Sequence, residues 1–177
     1  TALAAGSAQR MGADKVMMEL GCMPVLARTL LVFQNCDAVD EIIVVTRMEK
    51  VTEVAALCKK YGISKASKVV RGGKTRMESV LAGVSEVKSG ARLIAIHDGA
   101  RPLVTVDLIE RSISMLKGDL DIDGVVVGHP SIDTLKVVDE KNIVGTPDRN
   151  MFWVAQTPQV FRSSLLRRAY TTAMYEG

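Results

Sequence analysis

The sequence has few aromatic residues, few cysteines and no long apolar run, and each shortage removes a class of protein. Aromatics make up 4% of the 177 residues, with one Trp, three Tyr and three Phe, so the core has to be built from Val, Ile, Leu, Ala and the nine Met. Binders of single-stranded nucleic acid use aromatic faces as stacking platforms, and Tyr61 stands alone beside the most basic stretch of this chain. The three cysteines, Cys22, Cys36 and Cys58, are odd in number and widely spaced, with no CxxC pair and no neighbouring His. That pattern suits neither a disulfide framework nor a metal site, and reads as reduced structural thiols in a cytoplasm. No apolar run approaches the roughly 18 residues of a membrane span, and no leader signal precedes the first motif. The expectation is a soluble cytoplasmic protein whose partners include neither nucleic acid nor membrane.

What remains is an ordinary globular balance, 47% apolar and 24% charged, at a length that suits one domain. The chain opens within a strand pattern and stops directly after a helical one, so both natural termini are expected to be missing. Net charge is only +3, but its distribution is uneven. From Lys59 to Arg76 there are seven basic residues and no acid. Such a field favours an anionic ligand, although a solvated basic face has the same composition.

Short aliphatic runs alternate with helical periodicity. Strands are predicted at Thr1–Ala5, Glu41–Thr46, Val69–Arg71, Arg92–Ile96 and Gly124–Gly128, and helices at Pro24–Gln34, Glu49–Tyr61, Arg76–Val87 and Val106–Leu116. This rhythm predicts a mostly parallel, Rossmann-like α/β sheet with helices on both faces. In such sheets ligands bind outside the carboxyl ends of the strands, so functional residues are expected just after each strand. After Pro130 the rhythm changes. Asp133–Val138 and Ile143–Thr146 flank a polar tetrapeptide and predict a β-hairpin, an arm at about 131–150 projecting from the single domain 1–177. A further strand is predicted at Phe152–Gln156 and a helix at Ser163–Met174.

Some near-motifs fail. Gly73-Lys74-Thr75 imitates the end of a P-loop, but Lys68 stands where its first glycine is required. Asp119–Gly124 imitates a calcium loop, but Pro130 stands where a Glu is required. Four other segments carry chemistry. Leu3-Ala4-Ala5-Gly6-Ser7-Ala8-Gln9-Arg10-Met11-Gly12 leaves a strand through small residues, where backbone N–H groups can approach an anion, and Arg10 and Lys15 add two cations. His97-Asp98-Gly99-Ala100-Arg101-Pro102 ends a strand with a carboxylate able to hold a divalent metal or a ribose, and an arginine able to pair with phosphate. Gly72–Val80 is a glycine turn entering a helix, suited to reading a base edge or simply to capping. Pro147-Asp148-Arg149-Asn150, Trp153 and Gln156-Thr157-Pro158-Gln159 close the series, with Trp153 readable as core or as site. Neither His97 nor His129 is assigned a catalytic role.

The first segment resembles the L-A-A-G-x-G-x-R-M signature of nucleotidyltransferases that activate sugar phosphates, with Ala8 in place of the second glycine. Together, G-G-x-x-R-x-x-S-V, H-D-x-A-R-P, D-T, D-R-N and T-P-Q in this order resemble the 2-C-methyl-D-erythritol 4-phosphate cytidylyltransferase family over essentially the whole chain. The related ribitol-5-phosphate cytidylyltransferases share most of these motifs and are the alternative. The resemblance implies that Arg10, Lys15 and Arg149 are catalytic and that Ala4, Ala5, Gly6, Gly73, Lys74, Arg76, Ser79 and Gly99 bind CTP. It implies that Arg101, Asp133, Thr134 and Thr157 bind a small polyol phosphate and that Asp98 holds Mg²⁺. It also implies a homodimer formed through the arm, with Arg149 reaching the partner's site.

Overall fold

The computed structural model describes residues 2–5 and 15–176. In chain order its elements are β1 (Ala2–Ala5), β2 (Glu19–Leu20), β3 (Met23–Pro24), α1 (Val25–Gln34), β4 (Ile42–Thr46), α2 (Val51–Lys60), β5 (Ala66–Arg71), α3 (Arg76–Glu86), β6 (Leu93–Asp98), α4 (Val106–Gly118), β7 (Gly124–Pro130), β8 (Val137–Asp139), β9 (Asn142–Gly145), β10 (Trp153–Arg162) and α5 (Ser163–Glu176). Six strands form one sheet in the order β5-β4-β1-β6-β10-β7. β5, β4, β1 and β6 are parallel, while β10 runs antiparallel to both of its neighbours, β6 and β7. The sheet is therefore mixed.

Strand alternation builds two cores. Ile42, Val44 and Ala95 face Leu30 and Phe33 of α1, Val54 of α2, and Ile109 and Leu116 of α4. Ile43, Val45, Ile94 and Ile96 point the other way, toward Val80 and Val84 of α3 and Leu166 of α5. The period-2 side-chain alternation of a strand puts consecutive aliphatics on opposite faces, so a run such as Ile42–Val45 is buried from both sides. Among the described residues methionine is not part of the buried core, contrary to the composition reading. Met17 and Met23 only flank it, and Met48, Met115 and Met151 are exposed. The β-branched residues of the strands fill the interior, while these methionines sit on turns, an outer helix face and the short strand β3.

Local signals set most boundaries. Thr105 caps α4 by accepting from the Leu108 N–H (3.2 Å). Gly62, at φ +66°, ends α2 in the left-handed region that favours glycine. The predicted helix at Glu49–Tyr61 is divided into a 3₁₀ turn, Met48–Lys50, and α2. The larger departures come after Pro130. β10 spans ten residues rather than Phe152–Gln156, because a register shift between Ala155 and Gln159 lets it pass Thr157-Pro158 and continue against β6 and β7. The arm hairpin is shorter than predicted: β8 pairs with β9 across Glu140-Lys141, and Asp133–Lys136 is not strand.

Candidate active site

Because four neighbouring strands run parallel, their carboxyl ends share one edge of the sheet, where Ala5, Thr46, Arg71 and Asp98 end β1, β4, β5 and β6. Ala4 and Ala5 pair with His97 and Asp98 on one side and with Val44 and Val45 on the other, which places the end of the first motif between the two turns described next. Gly6 and Arg10 lie outside the described residues. Lys15 is half-buried in a turn, and the residue after it is fastened to α1 by a bond from the Leu26 N–H to the Val16 carbonyl (2.8 Å).

The first turn follows β5. A cavity of about 440 Å³ opens there, lined by Thr46, Arg47, Arg71, Gly73, Lys74 and Ser79 among others. Every backbone N–H from Gly72 to Thr75 is bound within the chain. Gly72 donates to the Thr46 carbonyl (2.8 Å), Gly73 to Ser79 Oγ (3.2 Å), and Lys74 and Thr75 both to Glu78 Oε2. Thr75 Oγ1 accepts in return from the Glu78 N–H (3.1 Å), a capping box that starts α3. Ser79 Oγ lies 2.9 Å from the Thr75 carbonyl, to which it donates. Both glycines are required by close approach: a Cβ on Gly72 would come within 2.8 Å of Ser79 Oγ, and one on Gly73 would overlap the Glu78 side chain.

The second turn follows β6. Asp98 Oδ2 accepts from Arg101 Nε (2.8 Å), and Oδ1 lies 3.6 Å from Arg76 Nη2, so one carboxylate ties this turn to the start of α3. Arg101 Nη1 donates to Gln156 Oε1 on β10. Behind the turn, His97 is buried against Phe33, with ring centroids 5.0 Å apart. Its Nε2 lies 3.1 Å from the Arg101 carbonyl, and its Nδ1 lies 2.9 Å from Thr157 Oγ1. Burial pushes the His97 imidazole below its ordinary pKa, against smaller opposing pulls from the Arg101 carbonyl and the Asp98 charge. The Gly99 carbonyl accepts from Thr29 Oγ1 (2.9 Å), which anchors the turn to α1.

The remaining expected residues stand apart. Asp133 and Thr134 are exposed between β7 and β8, and Arg149 Nη1 donates to the Ile132 carbonyl (3.4 Å). These residues gather at the base of the arm. Among the described residues no hydrogen bond or ion pair joins them to the Asp98–Arg101 turn. Trp153 is neither core nor part of this edge: it is 66% exposed. The basic stretch is not one face either. Lys65 reaches the Cys36 carbonyl and Lys68 pairs with Glu86, while Arg71 and Lys74 line the cavity.

Sequence reasoning assigned no role to Arg47, Glu78, His97 or Gln156, although the last three stand in segments it had singled out. Arg47 directly follows a strand, where functional residues were expected, and T-x-x-E at Thr75–Glu78 is a legible capping box. Nothing local marks Gln156 as the partner of Arg101.

A single carboxylate flanked by arginines is a sparse donor set, and no group of three or more His, Cys, Asp or Glu able to hold a metal occurs among the described residues. It nevertheless fits Mg²⁺, which commonly binds through one or two carboxylates and takes its other oxygens from water and substrate phosphates.

Comparison with known proteins agrees with the motifs and the fold. A family model described as IspD, 2-C-methyl-D-erythritol 4-phosphate cytidylyltransferase, matches residues 2–177. A protein of that name from Alkaliphilus metalliredigens is 41% identical over 175 residues, covering 97% of this chain and 71% of the relative. Another from Geobacter metallireducens is 40% identical over 176 residues, covering 96% and 75%. The crystal structure of 4-diphosphocytidyl-2C-methyl-D-erythritol synthase from Anaerococcus prevotii superposes with a TM-score of 0.83 at 29% identity, covering 98% of this chain and 73% of that one. With its motifs, its mixed α/β sheet and these relatives in agreement, the chain belongs to the 2-C-methyl-D-erythritol 4-phosphate cytidylyltransferase family.

Proposed function

We propose that this protein joins CTP and 2-C-methyl-D-erythritol 4-phosphate to give 4-diphosphocytidyl-2-C-methyl-D-erythritol and pyrophosphate, in non-mevalonate isoprenoid biosynthesis in the cytoplasm. The observation that carries the reading is the meeting of the Gly72–Ser79 turn and the Asp98–Arg101 turn at one edge of the sheet, joined by Arg76 and Asp98, in a chain of this family. The parallel quartet of strands then works as a Rossmann-like platform for the nucleotide.

The bond that forms links a phosphate oxygen of the acceptor to the α-phosphorus of CTP, and the bond that breaks releases pyrophosphate with its electron pair. The attacking oxygen is already ionised near neutrality, so the chain has no proton to remove, and the buried His97 stays outside the chemistry. Two anions have to meet, so the main task of the side chains is to offset repulsion and the charge that builds in the transition state. Arg10 and Lys15 do this at the triphosphate, beside backbone groups of Ala4, Ala5 and Gly6. Gly73, Lys74 and Ser79 meet the base. The N–H groups of Gly72–Thr75 are already bound, so this turn offers carbonyl acceptors, which suit the exocyclic amino group of cytosine and not the carbonyl of uracil. Asp98 holds Mg²⁺, which when bound neutralises phosphate charge. Gly99 lies at the ribose, and Arg101, Asp133, Thr134 and the Thr157 segment serve the acceptor.

A homodimer completes the site, with Arg149 supplied to the partner subunit. The arm supports this reading by what it leaves uncovered: Ile132 is 81% exposed and Ile143 64%, and Val138 and Met151 are also open. Large apolar patches of this kind mark interfaces.

The test is pyrophosphate release from CTP with each acceptor in turn. Turnover with 2-C-methyl-D-erythritol 4-phosphate and not with ribitol 5-phosphate is the expected result. Turnover with ribitol 5-phosphate alone reassigns the acceptor, and no CTP-dependent release with either overturns the reading.

A further inference from the structure

The bond between His97 and Thr157 is used by nothing in the mechanism above, although both side chains are buried and directly behind the Asp98–Arg101 turn. Its protons can be assigned one by one. The Arg101 carbonyl only accepts, so His97 Nε2 carries a hydrogen and donates to it at 3.1 Å. The Asp98 N–H donates to Thr157 Oγ1 at 3.3 Å. The hydroxyl's own hydrogen then has an acceptor 2.9 Å away in the bare Nδ1 lone pair of His97. Each donor meets one acceptor, and the set closes only for a neutral imidazole protonated at Nε2.

The geometry points to a positioning relay. We propose that His97 and Thr157 hold the Asp98–Arg101 turn in its working shape by bonding both of its ends. His97 grips the carbonyl of Arg101, Thr157 grips the amide of Asp98, and the bond between the two side chains makes the grips one unit. Phe33 packs on the imidazole from α1 and fixes its plane. The two charged side chains at the ends of the turn, Asp98 and Arg101, are the ones the proposed reaction depends on, so the inference rests on that reading. These bonds leave one lone pair on Thr157 Oγ1, so the relay adds a positioning role to the acceptor contact that the resemblance implies.

The test is a double-mutant cycle on Thr157→Val and His97→Gln, with kcat and both KM values measured. Thr157→Val keeps the shape and strands two buried polar groups, so kcat should fall by about tenfold while the KM for CTP stays within about twofold. Thr157→Ser keeps the hydroxyl and should restore most of the rate. If each single variant loses about tenfold, the double variant should lose little more, whereas independent roles would multiply to about a hundredfold. A multiplied loss overturns the proposal. So does a Thr157→Val enzyme with intact kcat and a raised KM for the acceptor, which is the mark of a direct substrate contact. A readout without turnover is ¹⁵N NMR of the imidazoles, in a chain with two histidines. The wild type should show the Nε2–H tautomer at His97, and loss of the Thr157 hydroxyl should shift its Nδ1 resonance. An Nδ1–H tautomer, or no shift, overturns the relay even if the wild type proves inactive toward CTP. If Thr157→Val does not fold, Thr157→Ser and the wild-type tautomer decide the question by the same criteria.

Discussion

The carboxyl edge of the sheet and the arm differ in what completes them. At the edge, polar groups are satisfied from within: the N–H groups of Gly72–Thr75 have partners, and both nitrogens of His97 have partners. In the arm, Val137, Val138, Ile143 and Val144 stand open on a two-stranded ribbon that makes no pairs with the main sheet. A two-stranded ribbon is at best marginally stable in water by itself. The edge holds its shape through bonds of its own, whereas the arm leaves its apolar side chains uncovered. One region stores its information in hydrogen bonds and the other in uncovered apolar area.

This contrast can be broken at several points. The largest effect is expected for Lys15→Ala and Arg10→Ala, each lowering kcat by about 10²–10³, the usual loss for a group that acts on transition-state charge. Their circular dichroism should match wild type; a variant with near-full turnover would refute their role. Next comes the arm. Val138→Asp with Ile143→Asp should convert a dimer to a monomer in sedimentation, with unchanged melting of the main domain and about a tenfold loss of activity as the partner's arginine is withdrawn. A monomeric wild type would end the proposal of a homodimer. Smaller still is Glu78→Ala, which frees the Lys74 and Thr75 N–H groups. It should reduce the preference for CTP over UTP by about tenfold, measured as a ratio of kcat/KM values. An unchanged ratio would mean that this turn does not read the base. The smallest effect concerns thiols. Burial pushes the Cys36 and Cys58 thiols up in pKa, whereas Cys22 is exposed, so a thiol reagent should modify Cys22 quickly and the other two only on unfolding.

Much of this architecture was legible because it rests on local rules. Runs such as Ile42–Thr46 and Leu93–Asp98 announce strands buried on both faces, and the expectation of function after each strand led to Gly73 and Asp98. Where reading failed, the cause was partnering at a distance. The strand predicted to end at Gln156 runs on to Arg162, because a register shift carries it past Pro158 between β6 and β7. The bonds that join Thr157 to His97 and Asp98, about sixty residues away in sequence, had no local signal either. Methionine was counted as core from composition alone, which says nothing of which face a residue occupies.

The order of aliphatic and polar residues was enough to determine an alternating α/β chain, its glycine turns and its family motifs, because strand and helix periods and capping act over a few residues. Tertiary structure alone decided that β10 would run against its neighbours, that Arg76 would meet Asp98, and that His97 would share its hydrogen bonds between Arg101 and Thr157. Those pairings depend on which strands lie side by side, and a hydrogen bond reaches only about 3 Å; no local pattern encodes a neighbour that folding has yet to deliver.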